Sequence, residues 1–223
     1  MKQFLFMMLA ACMLTACGSG ATKTEVSEEE STTAPTPVAL TAEQLKPLSF
    51  NEIFTAITAE EIPTDVFTLV AKDFTVITAG DSTNYNSMVA GWGGWGVEFN
   101  KPTTWCMLRA NRYTLEYMRR EQKYTFCYFD ESYKPDIMQF GMKSGRDSNK
   151  MKESKLQAVT TPGGSIAYKE AKLVIECRLV QITTVSPDDF YTEEGRKFVT
   201  DAYAEAKEWH KMVFGEITGV WKR

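Results

Sequence analysis

Short segments rich in β-branched and aromatic residues recur along most of the chain, and no strict alternation of strand and helix separates them. Segments of this kind are typical of β-strands. The predicted strands are 66–70, 74–78, 85–90, 103–109, 124–129, 173–182 and 210–220. The pattern disfavours a doubly wound parallel sheet. It predicts a mainly β, barrel-like domain with added helices, of the α+β class.

Helices are predicted between these strands. Residues 49–52 form a capping box, and an apolar stripe through Phe50, Ile53, Phe54 and Ile57 predicts a helix there. Thr114 is expected to cap a second helix, and 135–140 is expected to form a helical turn. The polar and basic segment 144–155 carries no strand signal, and helical pieces are expected within 190–209.

The amino terminus has the organisation of an export signal. Lys2 is followed by an apolar run over 4–14, which is shorter than the roughly 20 residues a membrane span needs. The ending Leu14-Thr15-Ala16-Cys17 resembles a bacterial lipobox, in which the cysteine is lipidated. Residues 1–16 are therefore predicted to be a lipoprotein signal peptide. Lipid on Cys17 is predicted to anchor the protein to a membrane of the bacterial cell envelope, on the periplasmic side or at the cell surface. The alternative is an ordinary signal peptide with a chance cysteine.

Residues 17–47 are predicted to be a disordered tether. The segment contains no aromatic residue, is rich in Ser, Thr, Glu and Ala, and holds Pro35 and Pro37, so it cannot bury enough apolar surface to fold. Within it, residues 19–22 resemble the core of a motif at which some exported proteins receive FMN on a threonine. The leading acidic residue of that motif is missing, and these residue types are common in tethers. The folded domain is expected to occupy 48–223.

Composition excludes several classes of function. With 25 Lys and Arg against 29 Asp and Glu, the formal net charge is −4, so a nucleic-acid partner is not expected. A single histidine, His210, excludes most zinc and haem sites built on several imidazoles. Cys106, Cys127 and Cys177 are expected to be buried thiols, although one disulfide plus one thiol remains an alternative.

One combination of residues suggests a ligand. The chain has no P-loop, HExxH, CxxC or GxSxG motif, but the glycine-rich stretch 91–96 places bare backbone beside Trp92 and Trp95. Cationic residues follow at Arg109, at Arg112 and within 143–150. Apolar surface, approachable backbone and clustered cations suit a planar aromatic ligand that carries a phosphate. The alternatives are tryptophans in the core and arginines on a solvated face.

Four segments in order resemble motifs of the flavoredoxin-like branch of the flavin reductase-like proteins. Residues 86–94 resemble N-x-M-T-x-S-W-G-G, and 109–114 resemble R-P-x-R-Y-T. Residues 143–150 are similar to K-S-G-R-D-x-D-K, and 210–217 match H-x-x-x-x-G-E-I. The sequence departs from these patterns at Val89, Gly91 and Ala110, where the family usually has Thr, Ser and Pro.

The resemblance implies an FMN-binding split β-barrel that forms a homodimer with the flavin near the subunit interface. Residues 86–92 would cradle the isoalloxazine ring, 109–114 would hold the phosphate and ribityl chain, and 143–150 would close over the phosphate. The residues it assigns to FMN are Asn86, Ser87, Met88, Val89, Ala90, Gly91, Trp92, Arg109, Arg112, Tyr113, Thr114, Ser144, Arg146 and Lys150.

The family resemblance also implies redox chemistry. His210 is the candidate proton-handling residue, and its alternative role is pairing with a carboxylate such as that of Glu208. Nicotinamide nucleotides are cytoplasmic, so an exported member would take electrons from a membrane or protein partner whose identity the sequence does not give. The chain is thus expected to be an FMN flavoprotein for electron transfer in the envelope. The alternative is a non-catalytic lipoprotein that keeps the barrel without flavin.

Overall fold

The structure is a computed structural model that describes residues 47–63, 65–203 and 208–223. The predicted signal 1–16, Cys17, the segment 19–22 and all but the last residue of the predicted tether lie outside the described residues. No helix in the described ranges is long and apolar enough to cross a membrane.

Ten strands and five helices make up the described fold, with short 3-10 turns between them. The strands are β1 Thr55–Ile57, β2 Thr75–Gly80, β3 Tyr85–Ala90, β4 Gly93–Glu98, β5 Lys101–Arg109, β6 Lys123–Tyr128, β7 Ala158–Thr160, β8 Ile166–Tyr168, β9 Leu173–Thr184 and β10 His210–Lys222. The helices are α1 Phe50–Ile53, α2 Tyr113–Glu121, α3 Lys134–Met142, α4 Lys150–Glu153 and α5 Glu193–Ala202.

The main sheet curls into an open barrel. Within the described residues its order is β3-β2-β6-β9-β10-β5-β4, all neighbours are antiparallel, and β1 pairs with the end of β10. The two edge strands β3 and β4 are consecutive in the chain and are joined by only Gly91 and Trp92. Two residues cannot span a flat seven-strand sheet, since neighbouring strands lie about 4.8 Å apart. The edges must therefore meet at the Gly91-Trp92 connection.

Both faces of the central strands are buried. On β6, Tyr124 and Phe126 belong to one apolar cluster together with Leu115 of α2, whereas Cys127 belongs to a second cluster with Phe140 of α3. Alternate side chains of a strand point to opposite faces, so one helix covers each face of this region. The part of the sheet that positions β3 is therefore covered by a helix on each face.

The predicted strand 66–70 is wrong. Thr68–Lys72 is a single π-helical turn, and Leu69 and Val70 reach the core from it. The Oδ1 atom of Asp65 accepts a hydrogen bond from the backbone N–H of Thr68 at 3.0 Å, which is the geometry of a helix cap. This local cap outweighs the strand preference of the β-branched and aromatic residues that follow it.

The other predictions hold with changes at their ends. The capping box forms, with Glu52 accepting from the Ser49 backbone at 2.7 Å, but α1 stops at Ile53 and the expected stripe continues as β1. Thr114 does not cap α2, because the helix starts at Tyr113 with Arg112 at the cap position. Most of the glycine-rich stretch 91–96 is a strand, since 93–98 forms the edge strand β4. The sequence patterns do not predict the short strands β7 and β8.

Cys106, Cys127 and Cys177 are buried free thiols in the described fold. Burial raises the pKa of Cys127 and of Cys177 to about 12, and it raises the pKa of Cys106 as well. These thiols stay protonated at neutral pH and act as small apolar side chains.

Candidate functional site

Strand β3 and the start of α2 are tied together at one end of the barrel. The side-chain amide of Asn86 donates to the hydroxyl of Thr114 at 2.7 Å, and both residues are buried. Thr114 stands in the first turn of α2, where backbone N–H groups lack partners within the helix and the helix dipole is positive. The bond therefore fixes the edge of the sheet beside a helix terminus that favours anions.

A first cleft of about 140 Å³ opens at this junction. Its walls are β3, the start of α2, the end of α3 and the loop after α3, and no carboxylate lines it among the described residues. The first cleft is lined by Asn86, Met88, Val89, Asn111, Arg112, Tyr113, Thr114, Phe140, Gly141, Met142, Lys143, Ser144, Gly145 and Lys150.

Lys150 is a buried cation in this cleft. The residue is only 5% exposed, and its ammonium donates to the backbone carbonyl oxygens of Phe140 at 2.7 Å and Lys143 at 2.9 Å. Burial and, after it, the charge of Arg112 together lower the pKa of Lys150 to about 8. No described carboxylate pairs with this ammonium, so an anion in the cleft would meet an uncompensated positive charge.

Arg112 is the second cation of the first cleft. Within the described residues its guanidinium makes no hydrogen bond and no ion pair. Burial and the neighbouring charge of Arg109 lower the pKa of Arg112, while Glu208 acts in the opposite direction. The N–H groups of the Arg112 guanidinium are therefore available to donate hydrogen bonds to a ligand.

The loop 143–149 covers the first cleft at close range. A Cβ atom added to Gly145 would lie 2.0 Å from Oδ1 of Asn86, a separation that no side chain tolerates. The Ser144 hydroxyl accepts from the backbone N–H of Arg146 at 3.2 Å, which folds the loop on itself. Glycine at 145 therefore allows the loop to approach β3 directly.

Arg146 lies on the rim and not in the lining of the first cleft. Its guanidinium pairs with Glu116 and donates to the carbonyl oxygen of Asn111 at 2.9 Å. The same group stands 4.7 Å from the ring centroid of Tyr113, a lining residue. In this structure Arg146 thus braces the wall of the cleft, and the carboxylate of Glu116 already compensates its charge.

A second cleft of about 200 Å³ lies on the other side of Arg112. It shares Met88, Val89 and Arg112 with the first cleft, and no carboxylate lines it among the described residues. The second cleft is lined by Met88, Val89, Ala90, Gly91, Trp92, Met107, Leu108, Arg109, Arg112 and His210. Arg109, which the sequence places with the phosphate, lies only in the second cleft.

His210 closes the second cleft from β10, where it pairs in register with Arg109. It is 8% exposed, its ring centroid lies 5.0 Å from that of Trp92, and its Nε2 is 3.5 Å from the hydroxyl of Tyr203. Its Nδ1 is buried without a hydrogen-bond partner among the described atoms. Burial, Arg109 and Arg112 together lower the pKa of His210 to about 4, so the imidazole is neutral at neutral pH. It makes no bond to Glu208 in the described structure.

The sequence carries a family signature over most of its length. The family model described as the flavin reductase like domain matches residues 67–223. The chain belongs to the flavin reductase-like family. The resemblance to this family that the four sequence motifs indicate is therefore confirmed.

Solved structures share the fold of this flavin reductase-like protein at low sequence identity. An FMN-binding protein from Thermus thermophilus with bound p-hydroxybenzaldehyde is 14% identical, with a TM-score of 0.53, over 76% of this chain and 82% of that one. A flavoredoxin from Methanosarcina acetivorans is 19% identical, with a TM-score of 0.51, over 73% and 74%. An FMN-binding domain of a flavin reductases-like enzyme from Shewanella baltica is 16% identical, with a TM-score of 0.53, over 76% of each chain.

These likenesses confirm the split-barrel fold class. The comparison with curated proteins gives no match.

Most of the motif residues of this flavin reductase-like protein reach the two clefts, but Ser87 does not. Its hydroxyl bonds those of Thr78 at 2.7 Å and Tyr168 at 2.6 Å in a buried chain. Ser87 lines neither cleft, because these bonds hold its side chain within the core beneath β3. It supports the strand and does not face a ligand.

The two departures in the first motif have different consequences. Val89 borders both clefts, so the missing hydroxyl leaves an apolar wall there. At Gly91 an added Cβ would lie 3.2 Å from Cδ1 of Phe74, so a serine at 91 would require that ring to move. Phe74 itself has a positive φ of 60°, an uncommon backbone conformation for an aromatic residue.

Several lining residues carry no signal in the sequence. Phe140 and Met142 come from the end of α3, and Met107 and Leu108 come from β5. Each is an ordinary apolar residue of its element, and only the curvature of the sheet brings it to a cleft. Tyr203 likewise reaches His210 from the end of α5, which the sequence predicts only as one of several helical pieces.

Proposed function

We propose that this protein binds FMN across the two clefts and transfers electrons through it in the bacterial cell envelope. The observation that carries the proposal is the pair Arg112 and Lys150, two cations without a described carboxylate partner beside the first turn of α2. The FMN-binding protein and the flavoredoxin that share the fold support the choice of cofactor.

The first cleft fits the phosphate of FMN. It combines an arginine fork, a buried ammonium and the positive end of a helix dipole, and it contains no acidic lining residue in the described chain. A phosphate carries nearly two negative charges at neutral pH, which these groups would compensate. Arg112, Lys150, Ser144 and the first turn of α2 would hold it.

The second cleft fits the flavin ring. Met88, Trp92 and Leu108 give it apolar and aromatic surface. The ring would therefore lie along 88–92, which agrees with the arrangement that the sequence predicts.

The residues of this chain bind, orient and shield; FMN, when bound, supplies hydride and single-electron transfer. Arg112 stands between the clefts and would fix the ligand's position along β3. Trp92, at the mouth of the second cleft, would limit solvent access on one side. His210 is neutral because burial and the two arginines lower its pKa to about 4, so it would offer a hydrogen bond and not a positive charge.

The location and assembly belong to the same proposal. The lipobox-like segment 14–17 supports an anchor at Cys17, and the following segment supports a tether that separates the domain from the membrane. A homodimer would place a second subunit near the exposed side of the flavin. Electrons would come from a membrane or protein donor. A non-catalytic barrel without flavin is the alternative, and Val89 and Gly91, which lack hydroxyls, favour it.

Flavin titration tests the proposal directly. The signal-free protein, from Gly18, is mixed with FMN and with riboflavin, and binding is followed by flavin fluorescence and by absorbance after removal of free ligand. We expect a yellow complex that releases FMN on denaturation, and weaker binding of riboflavin because it lacks the phosphate. Absence of binding by either flavin would reject the proposal in favour of the non-catalytic barrel.

A further inference from the structure

The mouth of the second cleft has an exposed wall of aromatic rings. The indole of Trp92 is 46% exposed, and its ring centroid lies 6.3 Å from that of Phe198 on α5. Tyr203, at the end of the same helix, has its ring centroid 5.1 Å from that of His210. Phe198 is itself exposed, so this wall is open to a ligand from solution.

A guanidinium stands at the same mouth without a carboxylate partner. Arg109 lies 5.5 Å from the centroid of the Tyr203 ring, and within the described residues it forms no ion pair and no side-chain hydrogen bond. It is absent from the lining of the first cleft, where the phosphate of the proposed FMN would lie. The N–H groups of the Arg109 guanidinium therefore donate neither to a described group nor to the phosphate of the proposed FMN.

His210 supplies a second, buried donor at this place. When the Tyr203 hydroxyl donates to Nε2, the imidazole proton is on Nδ1, which is buried without a described acceptor. His210 and Arg109 are directly opposite each other on β10 and β5. One donor from each strand thus borders a single cleft whose walls are aromatic.

We propose that Arg109, His210 and Trp92 form a subsite for a small aromatic carboxylate at the mouth of the second cleft. The inference rests on the proposed function, since the ligand would lie beside the flavin. The carboxylate would accept hydrogen bonds from Arg109 and from Nδ1 of His210. Its ring would pack against Trp92 and Phe198.

The chemistry favours a carboxylate over other ligands. A guanidinium binds a carboxylate through two parallel hydrogen bonds, and the aromatic wall rewards a flat ring with stacking contacts. A neutral ligand would leave the arginine without compensation, because the described lining contains no acid. The relative from Thermus thermophilus that binds p-hydroxybenzaldehyde shows only that the fold admits a small aromatic compound.

Paired probes test the subsite. 4-Hydroxybenzoate and its neutral isostere 4-hydroxybenzamide are titrated into the FMN-loaded protein by calorimetry, and the change in the flavin absorption spectrum is recorded. We expect the carboxylate to bind at least tenfold more tightly, since charge-assisted hydrogen bonds are the stronger kind. Both probes should shift the flavin spectrum if they bind beside the ring.

Variants assign the effect to residues. Arg109→Gln should remove most of the carboxylate preference and leave the amide unchanged, and Arg109→Lys should restore part of it. Trp92→Ala should weaken both probes alike. Arg119→Gln is the matched control, because Arg119 is an exposed arginine of α2 that borders neither cleft. Thermal unfolding of each variant verifies that it is folded.

The outcomes separate this inference from the flavin proposal. Equal affinities for the two probes, or an unchanged preference in Arg109→Gln, would overturn the subsite even if FMN binds. If FMN does not bind, the same titrations on the flavin-free protein still decide the subsite by its preference and its response to Arg109→Gln. Displacement of 4-hydroxybenzoate by equimolar inorganic phosphate would also overturn it, since that result describes a general anion site.

Discussion

At the scale of single residues, the three cations of the site have three different surroundings. Lys150 is satisfied by two backbone carbonyls, Arg112 faces both clefts without a described partner, and Arg109 borders only the second cleft. Residues of the same charge in two neighbouring motifs therefore have separable tasks. Substitutions at each position should give different patterns of loss.

Arg112→Gln should weaken FMN by about 10- to 150-fold, because a charge-assisted hydrogen bond contributes roughly 1.5–3 kcal/mol and each 1.4 kcal/mol is a factor of ten. Riboflavin, which has no phosphate, should lose little. Fluorescence titration of both flavins into the parent, Arg112→Gln and the control Arg119→Gln measures the effect. Equal losses for the two flavins would mean that Arg112 maintains the fold of the site and does not recognise the phosphate.

Gly145→Ala should impair flavin binding for a steric reason. The added methyl would meet Oδ1 of Asn86 at 2.0 Å, so either the loop 143–149 or the Asn86–Thr114 bond must move. We expect a loss of at least tenfold in FMN affinity. Gly96→Ala is the control, since a Cβ there has no neighbour within 4 Å. An FMN affinity for Gly145→Ala equal to that of the control would show that the loop does not need its close approach.

His210 should make stability depend on pH. Its pKa falls from 6.5 to about 4 on folding, so between these values the unfolded chain binds a proton that the folded chain does not. The free energy of unfolding should therefore be highest above pH 6.5 and decrease by roughly 2 kcal/mol as pH falls to 4.5.

Urea unfolding of the parent and His210→Gln at pH 7.0 and pH 4.5 measures this contribution, because the carboxylates titrate in both proteins. The parent should lose more stability than the variant over this range. Parallel losses would contradict the burial of an uncharged imidazole.

At the scale of elements, α3, α4 and the loop between them depend on one lysine. The ammonium of Lys150 in α4 bonds two carbonyl oxygens at the end of α3, which closes the loop 143–149 over the first cleft. This arrangement connects the stability of a peripheral segment to the shape of the ligand site. Replacement of the ammonium should disturb both.

Lys150→Met keeps the length of the side chain and removes its donors. Two buried carbonyls would lose partners, at about 1–3 kcal/mol each, while the removal of a buried charge offsets part of this cost. We expect the free energy of unfolding to fall by about 2 kcal/mol and FMN to bind at least tenfold more weakly. Lys152→Met, on an exposed residue of the same helix, is the control in chemical unfolding and FMN titration. An unchanged unfolding midpoint in Lys150→Met would contradict the bracing role.

Sequence patterns predict the elements whose side chains alternate or repeat regularly. The strand signals at β2, β3, β5, β6, β9 and β10 are correct, because these strands bury β-branched and aromatic residues against a core. The segment 66–70 has the same composition but is helical, because Asp65 caps it. Residue composition does not reveal this local hydrogen bond. β4 is unpredicted because glycines are atypical of strands, and two of them, Gly93 and Gly94, lie against the backbone and the Trp105 ring of β5.

The site divides in the same way. The structure brings five residues of three motifs to one cleft: Asn86, Arg112, Thr114, Ser144 and Lys150. Motif spacing does not reveal that Arg146 is paired with Glu116, or that Arg112 borders both clefts whereas Arg109 borders only the second. Those facts depend on side-chain partners and on the curvature of the sheet, which no local pattern encodes.

At the scale of the whole molecule, the open barrel places the second cleft where its two edges meet. Arg112 at the start of α2 and His210 at the start of β10 are far apart in sequence, yet both border the second cleft beside Gly91-Trp92. The exposed wall of Trp92 and Phe198 leaves that side accessible to a partner subunit or an electron donor. In an anchored protein, the length of the tether then sets which membrane partners can reach this side.

Cys17→Ala should release the protein from the membrane. A diacylated cysteine buries many methylene groups at about 0.8 kcal/mol each. Membrane and soluble fractions of cells that produce the full chain are compared by immunoblot, with Cys12→Ala as the matched control, since Cys12 lies within the predicted signal. Mass spectrometry of the native amino terminus should find an acylated Cys17. An unmodified amino terminus elsewhere in the segment 18–47, or equal membrane association of the two variants, would contradict the anchor, because lipid at Cys17 is the only attachment that the exchange removes.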